Sequence, residues 1–261
     1  MKFLRLFKDI YAYREMILNL VKKDLRGRYK GSLFGFLWTF LNPLLQVMVY
    51  SVVFSFILRF GTDKFYLFLF VGMVPWLFFA SSITTGAGVV QAEKNLVVKI
   101  HFPREVIPIY FVTSSFINML LCFVIIIPLS LFSGVKFNLT AYLCLPIIMI
   151  IEYIIAMGAC LIVSAVNVYF RDLQQITGII AMAGQFFTPI MYPLSSVPEN
   201  LQPIMMLNPL SSVIISYREV LYYGRIPRLD TLLYSFIFGI ILLVIGFIIF
   251  GKLKRRFAEV L

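Results

Sequence analysis

Long apolar stretches separated by short polar segments dominate the pattern of this chain. A helix needs roughly 20 mostly apolar residues to cross the hydrocarbon core of a bilayer. Five stretches reach that length, and a sixth is shorter and is interrupted near its end by Pro189 and Pro193. The pattern therefore predicts an all-α integral membrane protein with six transmembrane helices. The predicted spans are residues 33–58, 65–90, 106–133, 139–169, 174–194 and 231–250.

The stretch 9–30, ahead of the first predicted span, has a different character. Its apolar residues recur at helical spacing, and lysines and arginines occupy the rest of the helix surface. A basic amphipathic helix of this kind lies in the membrane interface. We therefore expect an N-terminal amphipathic interface helix over residues 9–30.

The stretch 195–228 is too polar and too rich in proline for a continuous span. Its best apolar piece, 204–217, has about the length of a re-entrant or interfacial segment. We predict re-entrant helices between the fifth and sixth spans, at the wall of a pathway mouth. Arg218 and Glu219 lie here as neighbours, and adjacent residues do not share a helix face, so each is expected to serve a different neighbour.

Composition supports this architecture. The 261 residues are 61% hydrophobic with a mean hydropathy of +0.94, and only 13% are charged. A soluble domain carries about 25% charged residues. No internal repeat or second domain is evident, so residues 1–261 are predicted to form one transmembrane domain.

The distribution of positive charge predicts the orientation. With both termini in the cytoplasm, the inner segments hold 17 of the 23 lysines and arginines, and the outer segments hold 6. This bias follows the positive-inside rule. A net charge of +11 can also indicate nucleic-acid binding, but these residues concentrate at the ends of spans, so no nucleic-acid partner is expected.

The chain lacks the usual signatures of catalysis and cofactor binding. It has no glycine-rich phosphate loop, a single histidine, and three cysteines, Cys122, Cys144 and Cys160, without metal-ligand spacing. We therefore expect no catalytic, cofactor or metal site in this chain. Glu152 lies near the middle of a span, where a carboxylate is either a functional group or a packing contact. With no second buried charge in view, packing is the favoured interpretation.

Aromatic residues are abundant, and most are expected to anchor the chain at the interface or to face lipid. Aromatic rings inside a wide pathway can also stack on sugar faces. Spacing does not select among the candidates for that role, which are Trp38, Tyr50, Trp76, Tyr192 and Tyr217.

The segment 91–105, QAEKNLVVKIHFPRE, separates the second and third predicted spans. It combines five charged residues and the single histidine with the apolar residues Leu96, Val97, Val98 and Ile100. Apolar residues ringed by charge on an exposed segment are typical of a docking surface for another protein. A transport protein with no energy source of its own needs such a surface.

Four stretches together resemble the permease subunits of polysaccharide-exporting ABC transporters. They are LVKKDLRGRYKGSLFGFLWTFLNPLLQ, EKNLVVKIHFPRE, NVYFRDLQQI and FFTPIMYPLSSVP with the LNPLSSVI and YREVLY that follow it. This resemblance covers nearly the whole chain. It implies export of O-antigen, teichoic acid, rhamnan or capsule chains on a polyprenyl-diphosphate lipid across the bacterial plasma membrane.

The resemblance also implies partners and site residues. Two copies of the chain would form the channel above two copies of a separate ATP-binding subunit, which would bind ATP and magnesium. The first and fifth spans would form a lateral gate for the lipid. The coupling contact with the ATPase would comprise Glu93, Lys94, Asn95, Leu96, Val97, Val98, Lys99, Ile100 and His101. The candidates for contact with the lipid diphosphate are Lys22, Lys23, Arg26, Arg28 and Lys30, although the positive-inside rule alone would place basic residues there.

Three other interpretations stay open at this point. An ABC export permease for a drug or another lipid would share the six-span plan and the coupling segment. A membrane-embedded lipid-linked sugar transferase would need acidic residues or a metal at the interface, and the chain offers scattered acids such as Asp63 and Glu199. A passive channel would need a ring of charges or a filter sequence, and none is evident.

Overall fold

The computed structural model describes residues 8, 10–28, 31–57 and 62–261, and over these residues it is helical with no strand. The predicted all-α class is confirmed. Five helical stretches in the described part of the chain are long and apolar enough to cross a membrane. They are Gly35–Ser55, Phe65–Ala87, Val106–Phe132, Leu139–Asn167 and Leu229–Arg256.

The helices follow the chain in this order. The first half contains α1 (Arg14–Gly27), α2 (Trp38–Ser51, continued by a π-helical turn Val52–Ile57), α3 (Phe65–Ala87), α4 (Val89–Ala92), α5 (Lys94–Lys99) and α6 (Val106–Phe132). The second half contains α7 (Leu139–Leu143), α8 (Leu145–Asn167), α9 (Leu173–Phe187), α10 (Gln202–Met206), α11 (Pro209–Leu221), α12 (Leu229–Leu253) and α13 (Phe257–Val260).

The predicted span 174–194 differs from the others in length. Here the helix α9 has 15 residues and ends at Phe187, because Thr188 is extended ahead of Pro189. A residue before proline is biased away from the helical region. Fifteen residues rise about 22 Å, which is less than the roughly 30 Å of a bilayer core. The sixth crossing therefore stays a prediction.

The N-terminal helix α1 packs along α6. Its Leu20 and Val21 are buried, and its Asp24 carboxylate accepts a hydrogen bond from Ser114 of α6. The predicted helix 9–30 begins earlier, and residues 9, 29 and 30 lie outside the described part of the chain. Its placement in the membrane interface stays a prediction.

Glycines bring α8 and α12 into close contact. A Cβ atom at Gly158 would lie 2.7 Å from the backbone nitrogen of Leu243, and one at Gly246 would lie 2.8 Å from the carbonyl oxygen of Gly158. Membrane helices associate through small residues that let their backbones approach. The close contact holds α12 against α8. Separately, α3 is buried along most of its length at the centre of the bundle.

The region 195–228 contains two short helices, α10 and α11. Asn208 caps α11, since its Oδ1 accepts from the backbone nitrogen of Leu210 at 3.1 Å. The Nδ2 of Asn208 donates to Thr188 Oγ1 at 2.9 Å, which joins this region to the end of α9. Short helices agree with the predicted break in the apolar pattern, and their entry into the membrane stays a prediction.

The bundle has two distinct ends. At one end the N-terminal helix, the segment 91–105 and the C-terminal segment lie together. Lys23 pairs with Glu93, and Arg104 donates to the carbonyl of Lys254. At the opposite end the hydroxyl of Tyr222 donates to the carbonyl of Asp63. Burial is the main reason that the pKa of Tyr222 lies above its usual value, so this phenol stays a neutral donor.

Candidate functional site

Glu93 is the central contact of the segment 91–105. Its carboxylate accepts hydrogen bonds from Lys23 Nζ of α1 at 3.2 Å and from the Tyr110 hydroxyl of α6 at 3.1 Å. Lys23 is largely exposed, whereas the Glu93 side chain is mostly covered. One carboxylate therefore joins the segment to both the N-terminal helix and the third predicted span.

The short helix α5 and Ile100, which follows it, divide their apolar residues between the protein interior and the surface. Val97 is 3% exposed, whereas Val98 is 56% and Ile100 is 51% exposed. The sequence grouped all three on one docking surface, and the structure instead places Val97 in the core. Leu96 is half-buried. The exposed residues around Val98 and Ile100 are Lys94, Asn95, Lys99 and His101.

The C-terminal segment supports the other end of this surface. The buried carboxylate of Glu105 lies 2.5 Å from Lys254 Nζ. Phe257 of α13 is fully buried and packs edge-on against Phe250. Since α13 also contacts α5, the segment 91–105 packs against the C-terminal segment as well as against α1.

A cleft of 680 Å³ opens where these elements meet. Its lining combines the exposed apolar residues Val98 and Ile100 with basic side chains. Among the described residues that line the cleft none is acidic, and Glu105, next to Arg104, is already paired with Lys254. A partner surface that carries apolar and acidic groups would complement this cleft. The basic side chains that line it are Lys99, Arg104, Lys254 and Arg255.

The predicted diphosphate residues do not converge on one point. Lys22 and Arg26 are exposed, and Lys23 is paired with Glu93. Arg28 is half-buried, with its Nε 2.7 Å from Asp24 and its terminal nitrogen 2.9 Å from Ser115 Oγ. Lys30 lies outside the described residues. Of the described residues in this set, Lys22 and Arg26 have charged groups without a recorded protein partner.

The predicted pathway aromatics also separate into two groups. Trp76 is buried beside Gly184, and Tyr217 is fully buried and donates to Glu152 at 2.7 Å. Trp38, Tyr50 and Tyr192 are half-buried. The contact between Tyr217 and Glu152 joins α11 to α8, so the structure gives Glu152 the packing role that the sequence favoured.

Arg218 and Glu219 point to different neighbours. Arg218 is buried and donates to the carbonyls of Phe68, Pro189 and Ile190, with its guanidinium carbon 3.5 Å from the centroid of the Phe68 ring. Glu219 is half-buried and lines a cleft at the opposite end from the segment 91–105. Arg218 thus holds the residues that follow α9, Pro189 and Ile190, through hydrogen bonds to their carbonyls, and its guanidinium is not free to bind a substrate.

A family model described as ABC-2 type transporter matches residues 15–222. The match spans most of the 261 residues. The chain belongs to the ABC-2 type transporter family. It is therefore a multi-pass membrane protein and a transport component, and membership of this family implies an ATP-binding partner. The alternative of a membrane-embedded sugar transferase is not favoured.

Named relatives extend over nearly the whole chain. The O-antigen export system permease protein RfbA of Myxococcus xanthus is 35% identical over 98% of this chain and 99% of its own length. An RfbA of Klebsiella pneumoniae is 36% identical over 95% of each. The polysialic acid transport protein KpsM of Escherichia coli is 28% identical over 87% of this chain and 89% of its own length.

Sequence reasoning missed two groups of functional candidates in this ABC-2 chain. The first is the ion pair between Glu105 and Lys254, which connects the segment 91–105 to the C-terminal segment although the two residues are far apart in sequence. The second is a set of amide and hydroxyl side chains in the predicted spans, including Asn42, Gln46 and Asn118. The spacing of Asn42 and Gln46 by one helical turn is the sequence signal that indicates a shared polar face on the first span.

Proposed function

We propose that this chain is the permease of an ATP-driven exporter that moves a lipid-linked cell-surface polysaccharide across the bacterial plasma membrane. The observation that carries the proposal is the likeness to O-antigen export permeases over 95% or more of the chain. The relative named for polysialic acid transport supports a polysaccharide substrate class. The carried lipid is a polyprenyl diphosphate.

The energy comes from a separate subunit. The permease has no phosphate-binding loop, so ATP and magnesium bind to a partner ATPase. Two copies of the permease assemble with two copies of that ATPase. The exposed residues Val98 and Ile100, together with the basic cleft beside them, support docking at the segment 91–105.

The coupling end of the bundle faces the cytoplasm, with both termini on that side. The excess of lysine and arginine in the segments assigned to this side supports the orientation. The interface helix lies along the inner membrane surface, where Lys22 and Arg26 are available to the lipid diphosphate. Each such cation contributes about 1 kcal/mol toward anionic groups at a membrane surface.

Two exposed helices form the pathway with the second copy. Apolar side chains on α2 and α9, such as Met48, Val49, Ile179 and Met182, are exposed in the single chain. These helices correspond to the first and fifth spans and form the lateral gate for the lipid. The region 195–228 lies at the outer exit, where the cleft that Glu219 lines also carries Arg225 and Arg228.

Nucleotide-driven closure of the ATPase pair moves the segment 91–105. Glu93 transmits that movement to α1 and α6, and the pair of Glu105 and Lys254 transmits it to α12. ATP binding can shift the permease between two conformations only if the ATP-bound ATPase binds one of these conformations more tightly than the other. Rigid-body movement of the bundle then opens the path.

A gene-deletion experiment tests this function. We expect a strain without the permease to lose surface polysaccharide and to accumulate the lipid-linked glycan on the inner side of the membrane. A hydrolysis-deficient partner ATPase should give the same accumulation, and the wild-type gene should restore export. Normal surface polysaccharide in the deletion strain would contradict the proposal.

A further inference from the structure

A further cleft lies between α2, α3 and α6. It has a volume of 380 Å³, near the lower end of the roughly 300–1,000 Å³ found for small-molecule sites. All three helices belong to candidate membrane spans. Its lining is nevertheless rich in amide and hydroxyl groups, which come from Thr39, Asn42, Gln46, Ser81, Ser115 and Asn118.

Two buried polar atoms on residues that line this cleft have no hydrogen-bond partner among the described residues. They are Thr39 Oγ1, on a residue that is 1% exposed, and Asn118 Oδ1. Buried polar groups normally find a partner, and an unpaired one inside a membrane protein is costly. A ligand that supplies hydroxyl groups would satisfy both atoms.

The helix α2 lacks one backbone hydrogen bond at the same place. Pro43 has no backbone N–H, so the carbonyl of Thr39 lacks the donor that a regular helix provides. The thiol of Cys122 is a weak donor to that carbonyl at 3.5 Å. The missing N–H of Pro43 therefore leaves a weakly occupied acceptor beside the unpaired hydroxyl of Thr39.

The charge of the cleft does not suit a diphosphate. Arg28 is the only charged side chain among the described residues that line it, and the carboxylate of Asp24 balances that charge at 2.7 Å. A neutral ligand with several hydroxyl groups fits this lining better than a multiply charged anion. Trp38 also lines the cleft, and an aromatic ring can stack on the apolar face of a sugar. Its indole N–H donates to Ser32 Oγ at 2.7 Å, so this donor is already satisfied within the protein.

We propose that this cleft is a carbohydrate subsite, which holds one sugar unit of the glycan that the permease exports. The inference rests on the proposed function and names the part of the substrate that each permease copy binds. The cleft begins at Arg28, beside α1, and extends along α2 toward Gln46. A sugar there lies next to the exposed cations of α1, which leaves the diphosphate outside the cleft.

Photo-crosslinking in cells provides the test. The full permease carries p-benzoyl-phenylalanine in place of Gln46, and a hydrolysis-deficient partner ATPase makes the native lipid-linked glycan accumulate as the probe. The control carries the same photoreactive residue in place of Ile241, which is exposed near the middle of α12. We expect a glycan-positive adduct at position 46 and at least about tenfold less at position 241.

Mild acid shows whether the adduct formed through the glycan or through the lipid of the lipid-linked glycan, because acid cleaves the bond between the first sugar and the phosphate. An adduct formed through the sugar keeps its glycan after acid treatment, and this is the expected result. An adduct formed through the lipid loses its glycan, and this would overturn the proposal. Equal labelling at positions 46 and 241 would overturn it as well.

Substitutions separate binding from folding. Thr39→Val keeps the shape of the side chain and removes an unpaired hydroxyl, so we expect unchanged or higher thermal stability with about fivefold less adduct, which corresponds to one hydrogen bond. Asn118→Leu should reduce the adduct in the same direction. The control Ser51→Ala removes another unpaired hydroxyl on α2 outside the cleft lining and should leave the adduct unchanged.

The outcomes also separate this inference from the proposed function. If the glycan accumulates and the Thr39 and Asn118 variants crosslink as strongly as the native chain, the subsite is wrong and the export function stands. If no glycan accumulates and surface polysaccharide is normal, the proposed function fails, and the subsite fails with it.

Discussion

Lys23 Nζ lies 3.2 Å from a carboxylate oxygen of Glu93, and this ion pair joins the N-terminal helix to the segment 91–105 across 70 positions of sequence. Because Lys23 is largely exposed, the pair contributes little to stability, about 0.2–1 kcal/mol. Glu93 also accepts a hydrogen bond from Tyr110 of α6, so one side chain connects the segment 91–105 to two helices. Under the proposed function, this connection would pass a movement of α5 on to α1 and α6.

We expect Glu93→Gln to reduce export per ATP hydrolysed by several-fold, with a change in unfolding free energy below about 1 kcal/mol. The charge swap Lys23→Glu with Glu93→Lys should restore part of the coupling. Export and ATP hydrolysis are measured together in proteoliposomes. The matched control is Glu15→Gln, which removes a 4.0 Å surface pair on the same helix and should leave coupling unchanged. Full coupling in Glu93→Gln would contradict this role.

Arg218 should be a structural residue. Replacement by Leu would leave the carbonyls of Pro189 and Ile190 without their donor and remove the stacking on Phe68. We expect a loss of about 3 kcal/mol and a fall in melting temperature of about 6–12 °C. Arg218→Lys should recover only part of this, because an ammonium group lacks the planar fork. A melting temperature within about 2 °C of native for Arg218→Leu would be inconsistent with this structure.

The contact between Tyr217 and Glu152 should fasten α11 to α8. Tyr217→Phe removes the donor and leaves a buried carboxyl group unpaired, so we expect a loss of about 1 kcal/mol. Glu152→Gln retains an oxygen acceptor for the Tyr217 hydroxyl and should change stability less. Thermal unfolding of both variants checks the order. If Glu152→Gln abolished export without loss of stability, Glu152 would have a transport role instead.

Close packing of α8 and α12 depends on Gly158. In Gly158→Ala the new methyl group would meet the backbone of α12 at 2.7 Å, so the helices must separate and the melting temperature should fall by several degrees. Gly251→Ala on α12 is the control, because a Cβ atom there meets nothing within 4 Å. Alanine favours a helix by about 0.5–1 kcal/mol over glycine, so this control should be neutral or slightly stabilising. Equal melting temperatures for the two variants would refute the close contact.

The sequence predicted the features that depend on local pattern. Apolar length gives the long spans, and the charges and prolines of 91–105 and 195–228 mark the breaks between helices. It did not predict that Val97 is buried while Val98 is exposed, because that depends on which side of α5 the rest of the bundle covers. Nor did it predict the partners of Arg218, since Pro189 and Ile190 are brought beside it only by the folded bundle.

The environments of the predicted pathway aromatics could not be read from the sequence, because they too depend on contacts that form only in the folded bundle. Tyr217 and Trp38 are both aromatic residues near polar neighbours in sequence. The structure buries Tyr217 against Glu152 and places Trp38 at the edge of a polar cleft. Only the arrangement of α2, α3 and α6 brings Thr39 and Asn118 to that cleft.

Co-purification of the permease with its ATPase tests the central claim most directly. The informative variant is Val98→Asp with Ile100→Asp, because both side chains are exposed and the fold should be retained. A substitution of Val97 is unsuitable, because this side chain is buried and a charge there could release the ATPase simply by unfolding the permease. Ile226→Asp is the control, because Ile226 is also 51% exposed but lies at the opposite end of the bundle. We expect native protein and the Ile226 variant to retain the ATPase and the double variant to lose at least about tenfold. Retention of the ATPase by a folded double variant, or no ATPase bound to native protein, would contradict coupling through this segment.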